Sequence, residues 1–204
     1  MEYLVIFLLV GSFVALIVWA IRHQKKTNQR KEKLFTDFAQ QNGLTRTTSK
    51  YALAQLNELR GELYGYPFQM IEKMEGSSKN KSITTYIIFS NTPFGFDFKI
   101  GKEHVFSKLG KHIGMKDIEF NETEFDKRFL IKSKEEDKMR RLLSLSLQNE
   151  LKALDKDLGN AIRNQNQVLS YTIYGIPLTK EKQFEPVKRV MGFMQKLLKE
   201  GERI

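Results

Sequence analysis

The chain has 204 residues, with 34 lysines and arginines against 24 aspartates and glutamates, which gives a formal net charge of +10. It has no cysteine and only three histidines, which excludes a disulfide framework, a thiolate metal site and a thiol nucleophile and leaves few ligands for zinc. A hydrophobic fraction of 41% with four prolines excludes collagen-like and low-complexity chains and is enough for a packed core.

The first predicted element is an uncharged apolar stretch over residues 3–21, YLVIFLLVGSFVALIVWAI. At about 1.5 Å per residue, a helix of this length nearly spans a hydrocarbon core of about 30 Å. The stretch lacks the polar stripe of a buried soluble helix, and neither its Met-Glu start nor its Trp19–Arg22 end suits a cleaved signal peptide. We therefore expect a retained transmembrane helix over 3–21 after a short extracytoplasmic tail, residues 1–2.

Residues 22–33 form a basic juxtamembrane segment with a local charge of +5. Basic flanks stay in the cytoplasm, so the amino end is predicted outside the inner (plasma) membrane and the rest of the chain inside. Cations beside an anionic leaflet each gain about 1 kcal/mol. The predicted anionic-lipid contacts are Arg22, Lys25, Lys26, Arg30, Lys31 and Lys33. A topology signal alone is the simpler interpretation of the same residues.

Periodicity predicts the first elements of a domain over residues 34–204. A helix is expected to run from the basic segment to Gln41 and to end at Asn42-Gly43, and a short helical segment is expected over Tyr51–Leu59. Alternating apolar residues then predict a strand over 61–74, a hairpin loop over 75–81, a partner strand over 82–90 and a third strand over 94–100.

The second half of the domain reads as strand, helix, hairpin and helix. A short strand ends at Ser133, where Ser133 and Glu136 fit a capping box for one helix reaching about Leu154. A hairpin over 161–176 that closes around residues 164–166, and a helix over 180–200, follow. The predicted class is α+β: an N-terminal transmembrane helix, then one antiparallel-sheet domain with packed amphipathic helices.

Candidate chemistry in this domain is sparse. The acidic string Glu119, Glu122, Glu124 and Asp126 lacks the spacing and glycine of a calcium loop, and Glu103, His104 and His112 lack metal-ligand spacing. Nucleophile-elbow, P-loop and dinucleotide motifs do not occur. We therefore predict no catalytic, cofactor-binding or metal residue and no cofactor, and for an enzyme the first residues to mutate would be Glu103, Glu119 and Asp126.

The net positive charge of the domain also indicates which binding partners to expect. The domain keeps a charge of +6 without any nucleic-acid-binding motif, so nucleic acid is not an expected partner. A group of lysines is a candidate patch for an anionic partner or headgroup, although scattered solvated lysines explain it more simply. These lysines are Lys99, Lys102, Lys108, Lys111 and Lys116.

Residues 94–151 carry a resemblance. A phenylalanine-rich strand, Gly114 with Asp117-Ile118, then Phe125-Asp126-x-x-Phe129 and a strand leading into a leucine-rich helix resemble bacterial single-pass membrane-anchored proteins of unknown function. The resemblance implies a bacterial membrane location and no functional residue. The leading hypothesis is a non-enzymatic binding or assembly module at the cytoplasmic face of the membrane, with a protein partner in a membrane complex. The alternative is a membrane-tethered enzyme with a carboxylate- or lysine-centred site.

Overall fold

A computed structural model describes residues 2–52, 54–77, 80–103 and 115–204, with the backbone alone for residues 2–6 and 8–10. Within these residues the protein is α+β with an antiparallel sheet, which confirms that part of the predicted class. Nine described strands form one antiparallel sheet, and helices supply the remaining regular structure.

The first helix, α1, is continuous over Glu2–Gln41. It ends as predicted, because Gly43 adopts a φ of +65° and the Leu44 N–H donates to the Ala39 carbonyl at 2.8 Å. Among the residues described, no helix combines the length and hydropathy that a membrane span requires. In the predicted span over 3–21, the side chains of residues 3–6 and 8–10 lie outside the description.

The strands pair in the order β1-β2-β3-β4-β9-β8-β5-β7-β6. The β8–β9 turn uses Asn166 and Gln167, with φ of +50° and +59°, as a two-residue hairpin requires. The second predicted hairpin is therefore present, but its turn was expected at 164–166, where residues 164 and 165 instead lie in β8 and pair with β9. The strands are β1 Thr45–Tyr51, β2 Ala54–Leu63, β3 Tyr66–Ser77, β4 Asn80–Ser90, β5 Phe98–Gly101, β6 Lys116–Asp117, β7 Leu130–Ser133, β8 Ile162–Gln165 and β9 Val168–Tyr174.

Three predictions in the first sheet region were wrong. The single strand predicted over 61–74 is divided between β2 and β3 by a turn at Tyr64 and Gly65, which have φ of +59° and +85°. The segment Tyr51–Leu59 is not helical, because β1 and β2 form a hairpin there and β2 also pairs with β3. Leucines three residues apart suggested a helix, but in the strand Leu59 is buried and Leu56 is only half-buried. The third predicted strand is also shorter: pairing starts at Phe98, although Phe94 is buried in the segment before it. Cross-strand pairing overrides the local pattern in all three places.

The described helices after α1 are α2 Thr123–Arg128, α3 Glu136–Leu142, α4 Leu145–Ala153 and α5 Glu181–Gly201. The single helix predicted after Ser133 was wrong, because α3 and α4 are separated at Leu143 and Ser144. The Ser133 hydroxyl donates to the Asp97 carbonyl at 2.8 Å and accepts from the Glu135 N–H at 3.1 Å. It therefore joins the end of β7 to the segment before β5 instead of capping a helix. The last predicted helix is confirmed as α5.

The two faces of the sheet differ. One face, here called the helix face, contains the paired row Leu59, Met70, Ile87 and Tyr171, which is buried. The helices α1 and α5 meet in the same core, where the Phe184 ring contacts Phe35 and Phe38 edge-on at centroid distances of 5.6 and 5.4 Å. The second half of α1 is therefore part of the domain.

The end of α5 gives a first test of this packing. A Cβ atom at Gly201 would lie 2.4 Å from Cε1 and 2.8 Å from Cδ1 of the buried Phe94 ring. We expect Gly201→Ala to lower the free energy of unfolding by about 1–3 kcal/mol, because the ring must move within a filled core. Urea unfolding of the full chain in detergent micelles, followed by near-ultraviolet circular dichroism, measures the loss.

The matched control is Gly192→Ala in the same helix, where an added Cβ meets nothing within 4 Å. Alanine costs less conformational entropy than glycine, so this variant is expected to gain about 0.5–1 kcal/mol. Equal effects of the two substitutions would contradict the packing of Phe94 against the end of α5.

Candidate functional site at the junction of α1 and the sheet

A buried ion pair joins α1 to the centre of the first four strands. The Lys31 ammonium lies 2.8 Å from Oε2 of Glu72 on β3, and the two side chains are 2% and 0% exposed. Lys31 also donates to the Gln55 carbonyl on β2 at 2.7 Å. A charge removed from water needs a partner and further hydrogen bonds, and the Lys31 ammonium and Glu72 Oε2 have both. The other carboxylate oxygen, Oε1, is buried without a hydrogen-bond partner among the described residues.

The carboxylate is held from the neighbouring strand as well. Asn57 on β2 donates to Glu72 Oε2 through its backbone N–H at 2.8 Å and through Nδ2 at 2.9 Å. The Asn57 amide oxygen accepts from Nε and Nη2 of Arg46, at 3.0 and 2.8 Å. Arg46 in turn donates to the Thr36 hydroxyl on α1 at 3.1 Å. The network of Lys31, Thr36, Arg46, Asn57 and Glu72 therefore links α1 to β1, β2 and β3.

Sequence reasoning missed this network, although the sequence carries a signal for it. Glu72 interrupts the alternating apolar series Phe68, Met70 and Met74 on β3, and Lys31 precedes the buried Phe35 by one helical turn. Each charge therefore stands at a core position of its own element. What the sequence does not contain is that the two positions face each other.

A cavity of about 420 Å³ lies beside the ion pair, where α1 leaves the sheet. Its polar lining comes from α1, from the start of β2 and from the turn before α5. At that turn the Gln183 side chain accepts from the backbone N–H groups of Thr179 and Lys180 at 3.1 and 3.0 Å. The lining residues are His23, Gln24, Thr27, Asn28, Arg30, Lys31, Ala54, Gln55, Ile83, Pro177, Thr179, Lys180 and Gln183.

The structure divides the six predicted lipid contacts into two groups. Five of them are exposed around α1 just after the apolar stretch: Arg22, Lys25, Lys26, Arg30 and Lys33. Lys31 is different and requires a correction, because its ammonium is buried against Glu72 and is not available to a headgroup. The stack of His23 on Trp19, with centroids 5.4 Å apart, marks the change from apolar to basic residues along the helix.

The carboxylates that the sequence suggested for an enzyme do not lie together in one site. Asp126 accepts from the N–H groups of Phe120 and Glu122, at 2.8 and 3.1 Å, and so holds the loop before α2. Glu119 is exposed, and Glu122 pairs with Lys152 at 3.1 Å. Glu103 is exposed at the end of a described range, and His104 and His112 lie outside the described residues. In the described ranges, no group of three or more acidic or histidine side chains is placed to hold a metal.

A second cavity, of about 430 Å³, lies between β9 and α5 and has apolar walls that include Ile173 and Val187. Its buried Tyr171 hydroxyl accepts from the Gly159 N–H at 3.1 Å, and burial raises the pKa of this phenol. Asp157 at its rim accepts two hydrogen bonds from Arg189, at 2.7 and 2.8 Å, which lowers the pKa of the carboxyl. Tyr171 and Asp157 thus have structural partners within the chain.

The fold and the junction define an α+β protein whose long first helix continues from an apolar segment into a sheet domain. No protein-family model, curated protein or solved structure matches this chain. The resemblance to bacterial membrane-anchored proteins stays a prediction.

Proposed function

We propose that the protein is a single-pass inner-membrane protein whose domain binds or assembles a partner at the cytoplasmic face. The proposal rests on a difference in side-chain burial between the two halves of α1. In the first half, large apolar side chains such as Phe13, Leu16 and Trp19 are 65%, 62% and 64% exposed. In the second half, Phe35 is buried and Lys31 is locked to Glu72.

The exposed apolar side chains of the first half of α1 would be more stable in lipid than in water. Burial of apolar surface gains about 25 cal/mol per Å², and a helix that is apolar on every side finds that gain in a bilayer. The five exposed cations that follow the apolar stretch would then lie at the headgroups, on the side that basic flanks favour. Because α1 is continuous, the domain would be held close to the bilayer surface, with the junction cavity facing the headgroup region.

Carbonate extraction of bacterial membranes tests the anchor. The full chain is expected to remain in the pellet at alkaline pH, whereas the variant with both Phe13→Lys and Leu16→Lys is expected in the supernatant. Two lysines near the middle of a span cost about 5–7 kcal/mol of insertion free energy. The control exchanges the same two positions for apolar residues, Phe13→Leu and Leu16→Ile, and should stay in the pellet. Release of the unmodified chain by carbonate would overturn the anchor.

Orientation is tested separately with alkaline phosphatase fused after Ile204. The enzyme is active only outside the inner membrane, so we expect an inactive fusion and an active cytoplasmic reporter at the same position. An active phosphatase at Ile204 would reverse the orientation without removing the anchor.

A further inference from the structure

Three basic side chains form a continuous row on the sheet face opposite α1 and α5. Lys99 on β5 pairs in register with Lys132 on β7 and with Arg163 on β8. Residues directly opposite on neighbouring strands have Cβ atoms about 4.5–5.5 Å apart and point to the same face. We call these three residues the basic row. Like charges at such positions repel, so the arrangement costs stability unless an anion offsets it.

Carboxylates offset only part of this charge. Asp117 on β6 lies 2.5 Å from the Lys132 ammonium and neutralises the outer member of the row. Asp97, two residues before Lys99, accepts from the Asn166 N–H at 3.0 Å and raises the pKa of Lys99 slightly against the larger opposing effects. Among the described residues, the side chains of Lys99 and Arg163 have no hydrogen-bond or ion-pair partner.

Lys99 is the central and most unusual member. It is 4% exposed, so nearly its whole side chain has left water while its charge has two cationic neighbours. Burial is the main reason that the pKa of Lys99 falls to about 8, and Arg163 and Lys132 lower this pKa further. An unpaired buried ammonium between cations is an unfavourable feature that a bound anion would relieve.

We propose that Lys99 and Arg163 bind a phosphate-type oxyanion on this face of the sheet. The guanidinium offers two parallel N–H donors to two oxygens, and the ammonium supplies a point charge beside them. Lys132, already paired with Asp117, lies on the far side of Lys99 and adds to the positive field. The half-buried Ser170, opposite Arg163 on β9, extends the row with a hydroxyl donor.

Isothermal titration of the full chain in neutral detergent with inorganic phosphate tests the proposal. We expect saturable binding that weakens about tenfold or more in Lys99→Met and in Arg163→Gln, because each change removes a charge-assisted hydrogen bond. Lys99→Arg keeps the charge and is expected to keep binding. Circular dichroism of each variant confirms that the sheet is intact.

The matched control is Arg60→Gln. Arg60 lies in the same register row on the same face, through Gln69, Ile88 and Ser170, but it already pairs with Glu58. Its exchange should leave phosphate binding unchanged. Absence of binding at millimolar phosphate, or equal losses in Arg60→Gln and Lys99→Met, would overturn the proposal, and the second result would assign an adventitious ion only.

A second arm distinguishes the source of the phosphate group. In nanodiscs of phosphatidylglycerol, a lipid headgroup bound at the row would compete with inorganic phosphate, and nanodiscs of phosphatidylcholine serve as the reference. Weaker phosphate binding in the anionic discs alone assigns the site to a headgroup, whereas equal binding assigns it to a soluble phosphate compound. Both results depend on Lys99 and are independent of carbonate extraction, which tests the anchor.

Discussion

Replacing Glu72 with glutamine is expected to lower the free energy of unfolding by about 3–5 kcal/mol, because it leaves the Lys31 ammonium buried without a counter-charge. Glu72 Oε2 accepts three hydrogen bonds, one from Lys31 and two from Asn57. A neutral amide oxygen can still accept from Asn57, but it cannot compensate the desolvated cation. Urea unfolding of the full chain in detergent micelles measures the difference.

The double variant Lys31→Met with Glu72→Gln separates the pair from its surroundings. With both charges removed, methionine fills the space of the lysine stem and glutamine keeps an acceptor for Asn57, so at least half of the lost stability should return. Buried ion pairs are often no more stabilising than apolar replacements, although breaking one is costly. A double variant as unstable as Glu72→Gln would contradict this account.

Thr85→Val is the control for this part of the sheet. Thr85 is paired in register with Glu72, is fully buried and has a hydroxyl without a hydrogen-bond partner among the described residues. Exchange for a side chain of the same shape is expected to change the free energy of unfolding by less than about 1 kcal/mol. Hydrogen exchange should show a second difference: Glu72→Gln loosens the backbone of α1 around Lys31, and Thr85→Val does not.

In contrast to Glu72→Gln, Lys99→Met is expected to raise the free energy of unfolding at pH 7, in buffer without phosphate. The pKa of this lysine falls from 10.5 to about 8 on folding, chiefly through burial. A group that binds its proton more weakly in the folded state destabilises that state wherever the proton is bound. Methionine removes the penalty, and because water screens part of the charge at the end of the side chain, we expect a gain of about 1 kcal/mol.

The pH dependence follows from the same shift. Below pH 8 Lys99 is charged in both states and its penalty is full, and between pH 8 and 10.5 the unfolded chain binds more protons than the folded chain. The contribution of Lys99 to the free energy of unfolding therefore rises with pH through that window. Other groups also titrate there, so the quantity to measure is the difference between the unmodified protein and Lys99→Met, which should shrink toward pH 10.5.

An exposed lysine provides the comparison for this prediction. Lys199, near the end of α5, is exposed, and Lys199→Met is expected to change the free energy of unfolding by less than about 0.5 kcal/mol at every pH. If Lys99→Met destabilised the protein at pH 7, the ammonium would be a favourable structural contact and the penalty assigned to it would be wrong.

The two lysines show how one residue type serves opposite purposes in this fold. Lys31 has a carboxylate and a carbonyl within 2.8 Å, so its burial connects α1 to the sheet. Lys99 is paired in register with two cations, so burying its charge destabilises the folded state. The first arrangement supports a fixed junction beneath the proposed anchor, and the second supports the proposed anion site.

Local pattern determined much of the secondary structure. The end of α1 at Gly43 and the helix α5 were predictable, because caps and helical periodicity act between residues close in the chain. The second hairpin was also predicted, but its turn was expected at 164–166 and lies at Asn166 and Gln167. The apolar stretch over 3–21 and the basic segment after it are likewise properties of the sequence alone. The same local reasoning was wrong where strand pairing decides, at Tyr51–Leu59 and in the interrupted helix after Ser133.

Only the tertiary structure decided which charges meet. Lys31 stands on a helix and Glu72 on a strand, and Lys99 lies far along the chain from both Lys132 and Arg163. Such contacts depend on the order β8-β5-β7 and on how α1 crosses the sheet, and neither follows from residue spacing. The sequence by itself determined an apolar helix, a basic flank and a set of strands and helices. Only the fold made Lys31 a connection between α1 and the sheet and Lys99 part of a candidate anion site. The reason is that burial and the nearest charge determine whether a lysine ammonium is stabilised.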